Sequence, residues 1–454
     1  MSATQVTTVI EAQTLPMAEL SPIRDPEASG MQDAKPKILS AEEAPASRAF
    51  QQESATPVFK LVVAGYSFFC AGVNDGTLGP LIPYIISSFN VGTGDIAIIY
   101  GTTFGGWLLA AITNPILTAH LTLGQLLGIG AALQLIAHCL RPWSPFPLFC
   151  ITFFLQSLGM AYQDSHSNTF VSGLKNVPHR WLSFIHACYA LGCFVGPLIA
   201  TAIATSHNSM AIDGWKRVYL VLIGICILNM AGVMVAFRDT IYSKLHLDSG
   251  IRGQKRNKVA ILDMARLLKS KSLWLLSAFY FFYLGACFTA GGWVVEFLTT
   301  VRGGNLANMG YVPTGFYGGM LAGRMILAEP TFRLGEQRML LVYCTICVGL
   351  QLVFWLQPSI IGSAVALSLI GFFSGPFFAT GMSVASKLFP YESQSATLGF
   401  IFVLAQAGGA IFPSITGLIA TSAGVAVLQP IVLALFVAAG ASWWLVPKIP
   451  RQSD

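Results

Sequence analysis

The chain has 454 residues, of which 54% are apolar and only 10% charged, and its mean hydropathy is +0.65. No soluble core of that size hides so much apolar surface, so the composition excludes a soluble enzyme or a nucleic-acid-binding domain and implies an integral membrane protein. The net charge of +6 then reports orientation in a bilayer, since cytosolic loops collect Lys and Arg.

Residues 1–57 mix acids, prolines, Ala, Ser, Thr and Gln without periodic apolar positions, which predicts a disordered cytosolic tail. No basic stretch followed by an apolar core opens it, so the first span is expected to serve as the targeting signal. Apolar runs near the ~20 residues needed to span follow at 60–87, 95–119, 122–140, 147–171, 181–205, 217–237, 273–300, 310–328, 339–356, 359–385, 394–421 and 427–447. They predict an all-α membrane protein of twelve transmembrane helices arranged as two six-helix bundles, 58–237 and 273–447. A basic linker, 238–272, joins the bundles, and a short tail, 448–454, ends the chain.

Of the 26 Lys and Arg, only Arg141, Lys216, Arg217 and Arg302 fall on the side opposite the termini, so both termini are expected in the cytosol. A cell-membrane location is the default and the vacuolar membrane the alternative. Most of the nine cysteines lie within spans as small apolar residues; Cys139 and Cys150 flank an outer connection, where a disulfide is permitted but not demanded. The halves share internal similarity. Gly105, Gly106 and Leu108 match Gly318, Gly319 and Leu321, and Gly192 and Pro197 match Gly408 and Pro413, at offsets of 213 and 216. Parallel repeats of this kind place a binding site near the bilayer midplane, between the halves.

In the first span Gly72-Val73-Asn74-Asp75-Gly76 sets a carboxylate in an apolar run. A charge at that depth costs about 2.5 to 3.5 kcal/mol, so Asp75 is a functional candidate, the alternative being a structural acid held by Asn74 or by backbone freed near Pro80 and Pro83. Gly72 and Gly76, four apart, allow a neighbouring helix to approach closely. Trp107 stands at mid-depth in the second span, able to line a cavity. The fourth span places Asp164 and Asn168 on one helix face, with a paired structural acid as the alternative for Asp164. His186 and Tyr189 share an edge of the fifth span, readable as substrate contact or as helix-to-helix hydrogen bonding. His166 points away from Asp164 and reads as structural.

Trp293 and Glu296 share a face of the seventh span, an arrangement that grips a polar ring or a cation; alternatively Glu296 pairs with Arg302 as an outer gate. In the eighth span Gly319-x-x-x-Gly323-Arg324 combines close helix approach with a cation that snorkels or locks an inner gate. Phosphate-binding glycine loops and metal-spaced histidines are absent from the sequence, so no enzyme, no metal and no organic cofactor are expected.

Taken in order, Gly72 to Gly76, Asp164 with Asn168, His186-Ala187-Cys188-Tyr189-Ala190-Leu191-Gly192 through Gly196-Pro197, Gly292-Trp293, and Gly310 to Gly319 through Gly323-Arg324 resemble the fucose permease-like branch of the major facilitator superfamily, especially its fungal members. The resemblance covers 58–447. It implies alternating access, with acids in the first and fourth spans, here Asp75 and Asp164, handling the coupling proton and a sugar, and with Asn74, Asn168, His186, Tyr189, Trp293 and Trp107 as substrate-binding candidates. Glu296, Arg302 and Arg324 are the gating candidates. Two departures stand out: between the second and third spans the usual basic and acidic signature is replaced by a run offering only His120, and Glu296 occupies a position expected to be neutral.

The resulting expectation is a secondary transporter, proton-coupled and sugar-like in substrate, working as a monomer in the bilayer with a small-molecule substrate and no nucleic-acid partner. Proton-antiport efflux of a fungal secondary metabolite is one alternative. A non-transporting nutrient sensor is the other, disfavoured by the short linker and by a tail with no folded domain.

Overall fold

The computed structural model describes residues 57–174, 178–206, 214–242, 267–389 and 391–448. The expected N-terminal tail and most of the basic linker and C-terminal tail lie outside them. The described residues are helical without a strand. Six spans occupy Pro57–Phe89, Thr93–His120, Leu123–Leu140, Phe146–Ser172, Pro178–Ala204 and Val218–Ala236. Six more occupy Lys271–Thr300, Val312–Ile326, Glu336–Leu356, Ile360–Ser374 continued by Phe377–Leu388, Tyr391–Ala423 and Leu428–Trp444.

Among the described residues, nine of these spans are long and apolar enough to cross a membrane. The other three are the first, fourth and eighth. The first carries Asp75, the fourth carries Gln156, Gln163 and Asp164, and the eighth is 15 residues long between two shorter helices. Polar content lowers the hydropathy of the helices that carry the candidate acids.

The tenth span departs from the uninterrupted helix expected over 359–385. It breaks at Gly375-Pro376 because Pro376 has no N–H to continue the ladder. Gly375 packs there against the backbone of Met320 and Arg324, where a Cβ would collide. The short Cys139 to Cys150 connection forms no disulfide; the nine cysteines are free.

Glycines set the closest helix pairs. A Cβ on Gly72 or Gly76 would collide with the fifth-span backbone at Tyr189 and Cys193, and one on Gly192 or Gly196 with the first-span backbone at Phe69 and Val73. The second half repeats the device: Gly408 of the eleventh span lies against the Phe281 carbonyl of the seventh. Likewise Gly106 of the second span packs on the fourth, and Gly319 of the eighth packs on the tenth. The residue matches at offsets 213 and 216 therefore occupy equivalent contacts in two six-helix bundles.

The bundles meet differently at their two ends. Toward the face opposite the chain termini, backbone meets backbone or a short side chain: Gly79 against the Gly291 carbonyl, Gly310 against Thr201, and Ser414 Oγ donating to the Ala97 carbonyl at 3.1 Å. Toward the terminal face the bundles touch through side chains. His186 lies 5.0 Å from Phe378 between ring centroids, Trp107 lies 5.7 Å from Phe402, and Arg324 Nη1 donates to the His186 carbonyl at 3.0 Å.

Candidate functional site

Two cavities lie between these seals. The first, of about 590 Å³, is walled by Asn74 and Asp75 of the first span, Tyr100 and Trp107 of the second, Phe153 and Gln156 of the fourth, and Gly292, Tyr317 and Gln406 from the second half. The second, of about 730 Å³, is walled by Asp164, His186 and Tyr189 on one side and by Tyr283, Arg324, Phe378 and Phe402 on the other. Phe288, Tyr317 and Gln406 border both. Both cavities combine apolar walls with a few polar groups, the make-up of a small-molecule site.

Asp75 is half-buried in the first-span helix, which runs on through Pro80 and Pro83. Lacking N–H donors, these prolines leave the Gly76 and Gly79 carbonyls without their intrahelical partners. The Asp75 carboxylate takes two hydrogen bonds, from Tyr189 Oη to Oδ2 at 2.7 Å and from Asn74 Nδ2 to Oδ1 at 3.1 Å. Asn74 therefore does hold Asp75, as the structural alternative required, yet the carboxylate also lines the cavity. Tyr189 faces the second cavity while its hydroxyl reaches the acid of the first, so one side chain joins the two chambers.

Asp164 is 4% exposed, opens onto the second cavity and makes no hydrogen bond or ion pair among the described residues. Buried carboxylates are ordinarily paired, and an unpaired one facing a cavity is poised to take a proton or a hydroxyl-bearing ligand. Asp75 lies near enough for its charge to act on Asp164. Arg324 donates Nε to the Gly375 carbonyl at 3.3 Å and Nη1 to His186 of the opposite bundle; it fastens the tenth-span break and the two halves together. The His186 ring sits between Phe68 and Phe378, lining the second cavity as an aromatic edge.

Four candidates fall elsewhere. Trp293 is fully buried and donates Nε1 to the Pro413 carbonyl at 3.1 Å, fixing the seventh span to the eleventh; Gly292 beside it, not the indole, reaches the cavity. Glu296 and Arg302 do not pair. Arg302 Nη2 instead caps the ninth span through the Phe354 and Trp355 carbonyls at 3.1 and 2.9 Å, because the end of a helix offers acceptors nearer than Glu296 does. Glu296 is 8% exposed and lines neither cavity. Asn168, one turn beyond Asp164 toward the terminal face, is half-buried and also lines neither. His166 hydrogen-bonds Asn114 Oδ1 at 2.8 Å, the structural role expected of it.

The main residue to which the sequence reading gave no role is Arg141. Counted there only for its side of the membrane, it is 1% exposed and turned back into the first bundle. Its Nε donates to Thr152 Oγ1 at 2.9 Å, its Nη1 to Asn74 Oδ1 at 3.2 Å, and its guanidinium lies 3.9 Å above the Phe153 ring. Tyr100, Gln156, Tyr317 and Gln406 were also missed as cavity residues. Gln406 carries a sequence signal in hindsight, an amide in the apolar middle of the eleventh span, and the Tyr100 hydroxyl is buried with no hydrogen-bond partner among the described residues.

Between the second and third spans, neutral hydrogen bonds stand where charges were expected. Thr122 Oγ1 donates to the Thr240 carbonyl at 2.6 Å and Gln125 Nε2 to the Ile241 carbonyl at 3.1 Å, tying the third span to the helix that follows the sixth. In the second half, Lys387 and Ser383 both donate to Glu336.

A model of the Major Facilitator Superfamily matches residues 65–413. "Bypass of stop codon protein 6" of Saccharomyces cerevisiae is 24% identical over 430 residues, covering 88% of this chain and 84% of its own length. Among solved structures, a D-xylose-proton symporter superposes with a TM-score of 0.70 at 13% identity, over 87% of this chain and 99% of that one. The fucose:proton symporter FucP of E. coli gives 0.58 at 17% identity, over 86% and 98%.

Proposed function

Because the chain belongs to the Major Facilitator Superfamily, and so is a multi-pass membrane transporter of a small solute, we propose that it couples that solute to protons through Asp75 and Asp164 and that the solute is compact and polar, sugar-like in its hydroxyls. The observation that carries this reading is the pair of carboxylates at the interface of the halves. One is held by two donors, and the other opens unpaired onto a cavity, within electrostatic reach of the first. An acid buried at such a place binds a proton whenever the surroundings withdraw the groups that stabilise its charge, which is how a conformational change gates proton release.

The walls fit a hydroxylated ring. The Tyr100 hydroxyl, Gln156, Gln406 and the two acids supply donors and acceptors, while Trp107, Phe288 and Tyr317 supply faces to stack on. The two solved sugar:proton symporters with this fold add support by analogy. The count of basic residues favours cytosolic termini, with the cell membrane as the default location.

The phenylalanines around the second cavity support one rival, proton-antiport export of a greasier metabolite. Proteoliposomes separate the two. Uptake of labelled hexoses or pentoses driven by an inward proton gradient supports symport, and efflux of an apolar solute against such a gradient supports export. Asp75→Asn is expected to abolish gradient-driven accumulation while leaving solute exchange, and undiminished accumulation in that variant overturns proton coupling through Asp75.

A further inference from the structure

Arg141 lies one layer behind the wall of the first cavity, resting on Phe153 and bonded to Asn74, both of which line that cavity. No carboxylate pairs with it among the described residues. Its Nη2 makes no hydrogen bond among the described residues, and the Tyr219 ring centre lies 5.1 Å from the guanidinium carbon. Taking a guanidinium out of water without an anion is expensive, so the site retains it for something other than an ion pair.

Hydrogen-bond chemistry identifies what it does. Arginine is a donor only, so the atom of Asn74 facing Nη1 is Oδ1. The Nδ2 group of Asn74 must then point the other way, and there it meets Asp75 Oδ1. Without Arg141 the amide is free to turn over and present a lone pair to Asp75 instead.

We propose that Arg141 is a positioning residue for Asp75: it fixes the Asn74 amide with its NH2 toward the carboxylate, and so favours the ionised acid in this conformation. The inference deepens the proposed role of Asp75 and rests on that reading for its meaning in transport. Thr152, accepting from Nε, holds the guanidinium in register. Arg141, Asn74 and Asp75 all belong to the first bundle, so this link stays intact when the two bundles rock as bodies.

Other groups face the same acid and remain in place in the variants below. Tyr189 and Cys193 of the fifth span, Tyr100 of the second, Tyr317 of the eighth and Asp164 of the fourth all lie within electrostatic reach of Asp75. Around Arg141 they are His138, Tyr219 and Cys226. Only Asn74 connects the two clusters by hydrogen bonds.

The test reads Asp75 itself and needs no transport. Infrared titration of the protonated-carboxyl band, assigned by subtraction of Asp75→Asn, gives the midpoint of Asp75 in the full chain in proteoliposomes. Asn74→Leu and Arg141→Met are each expected to raise that midpoint by half a pH unit or more, and the double variant to raise it no further than Asn74→Leu alone, because the arginine acts through the amide. An unmoved midpoint in Arg141→Met, or shifts that add in the double variant, overturns the proposal. If Arg141→Met fails to fold, Thr152→Val keeps the guanidinium but removes its anchor; it is expected to move the midpoint upward, and no movement overturns the proposal. A failure of proton coupling appears instead in the transport assay of Asp75→Asn, so the two ideas fail separately.

Discussion

Lys60, at the start of the first span, meets Asp239 at 2.6 Å, just past the end of the sixth. Partial burial works to raise the Asp239 carboxyl, but the hydrogen bond and charge of Lys60, with backbone N–H donors, outweigh it and hold the group below the usual carboxylate range. A depressed acid contributes stability that is present above its unfolded value of about 4 and is lost as pH falls through the lower folded value. Asp239 is exposed enough for solvent to screen the pair, so Asp239→Asn should cost under about 1 kcal/mol at pH 7. Thermal unfolding in detergent should show the gap between wild type and variant closing below about pH 4, and a gap that widens there refutes the pair as its source. Single residues of this kind were only partly legible in the sequence. Asp75 and Asp164 declare themselves because charge in an apolar run is costly, and Tyr189 and Arg324 because they sit within recognisable motifs. Trp293, Glu296 and Arg302 were misassigned because helical spacing gives a shared face but not which neighbour that face meets. Arg141 was given no role because its charge lies at a span end, where a long side chain can turn outward to water or inward to a partner; Thr152 on the next span and Asn74, 67 residues away, decide the matter.

Packing of whole helices depends on a few glycines, and this predicts where substitution is not tolerated. Gly72→Val puts atoms into the Tyr189 carbonyl and Gly408→Val puts them into the Phe281 carbonyl, so in each case backbones must separate. The expected cost is at least the 1–3 kcal/mol typical of an overpacked contact, read as a lower melting temperature or as loss of the monodisperse peak in size-exclusion chromatography. Gly224→Ala and Gly349→Ala meet no atom within 4 Å and should leave melting unchanged or slightly raised. Equal losses in both sets would refute the packing role. The helices themselves were legible, with ends within a few residues of those expected, because a bilayer imposes a minimum length of apolar chain. The break at Gly375-Pro376 was not foreseen, since the run stays apolar through it and what separates the two pieces is a missing N–H together with the close pass of the eighth span.

At the scale of the molecule, the asymmetry between the two ends predicts how access alternates. The terminal-face seal consists of the rings of Trp107, His186, Phe378 and Phe402 and the Arg324 side chain, which part by rotamer changes on the nanosecond scale. The opposite seal is backbone against backbone at Gly79 and Gly291, and it opens only if the bundles rock as bodies about the cavities. The matched positions Gly106 and Gly319, and Gly192 and Gly408, each packed on a helix of its own bundle, foretold two equivalent bundles from sequence offsets alone, but nothing in one sequence says how each end is sealed, because that depends on a relative rotation and not on which residues form each bundle. Covalent trapping tests it. A Cβ at Gly310 lies 3.2 Å from Thr201 Cβ, a few tenths of an ångström inside the 3.5–4.5 Å of a disulfide, and a small shift of the eighth span supplies the difference. In a Cys139→Ser background, Thr201→Cys with Gly310→Cys should oxidise readily and join the halves at that face. Mass spectrometry should find the bridge, and solute exchange should fall to the level of empty vesicles and return on reduction. A bridged protein that still exchanges solute at the unbridged rate would mean that this end need not open, and the rocking of two rigid bundles about a shared site would have to be abandoned.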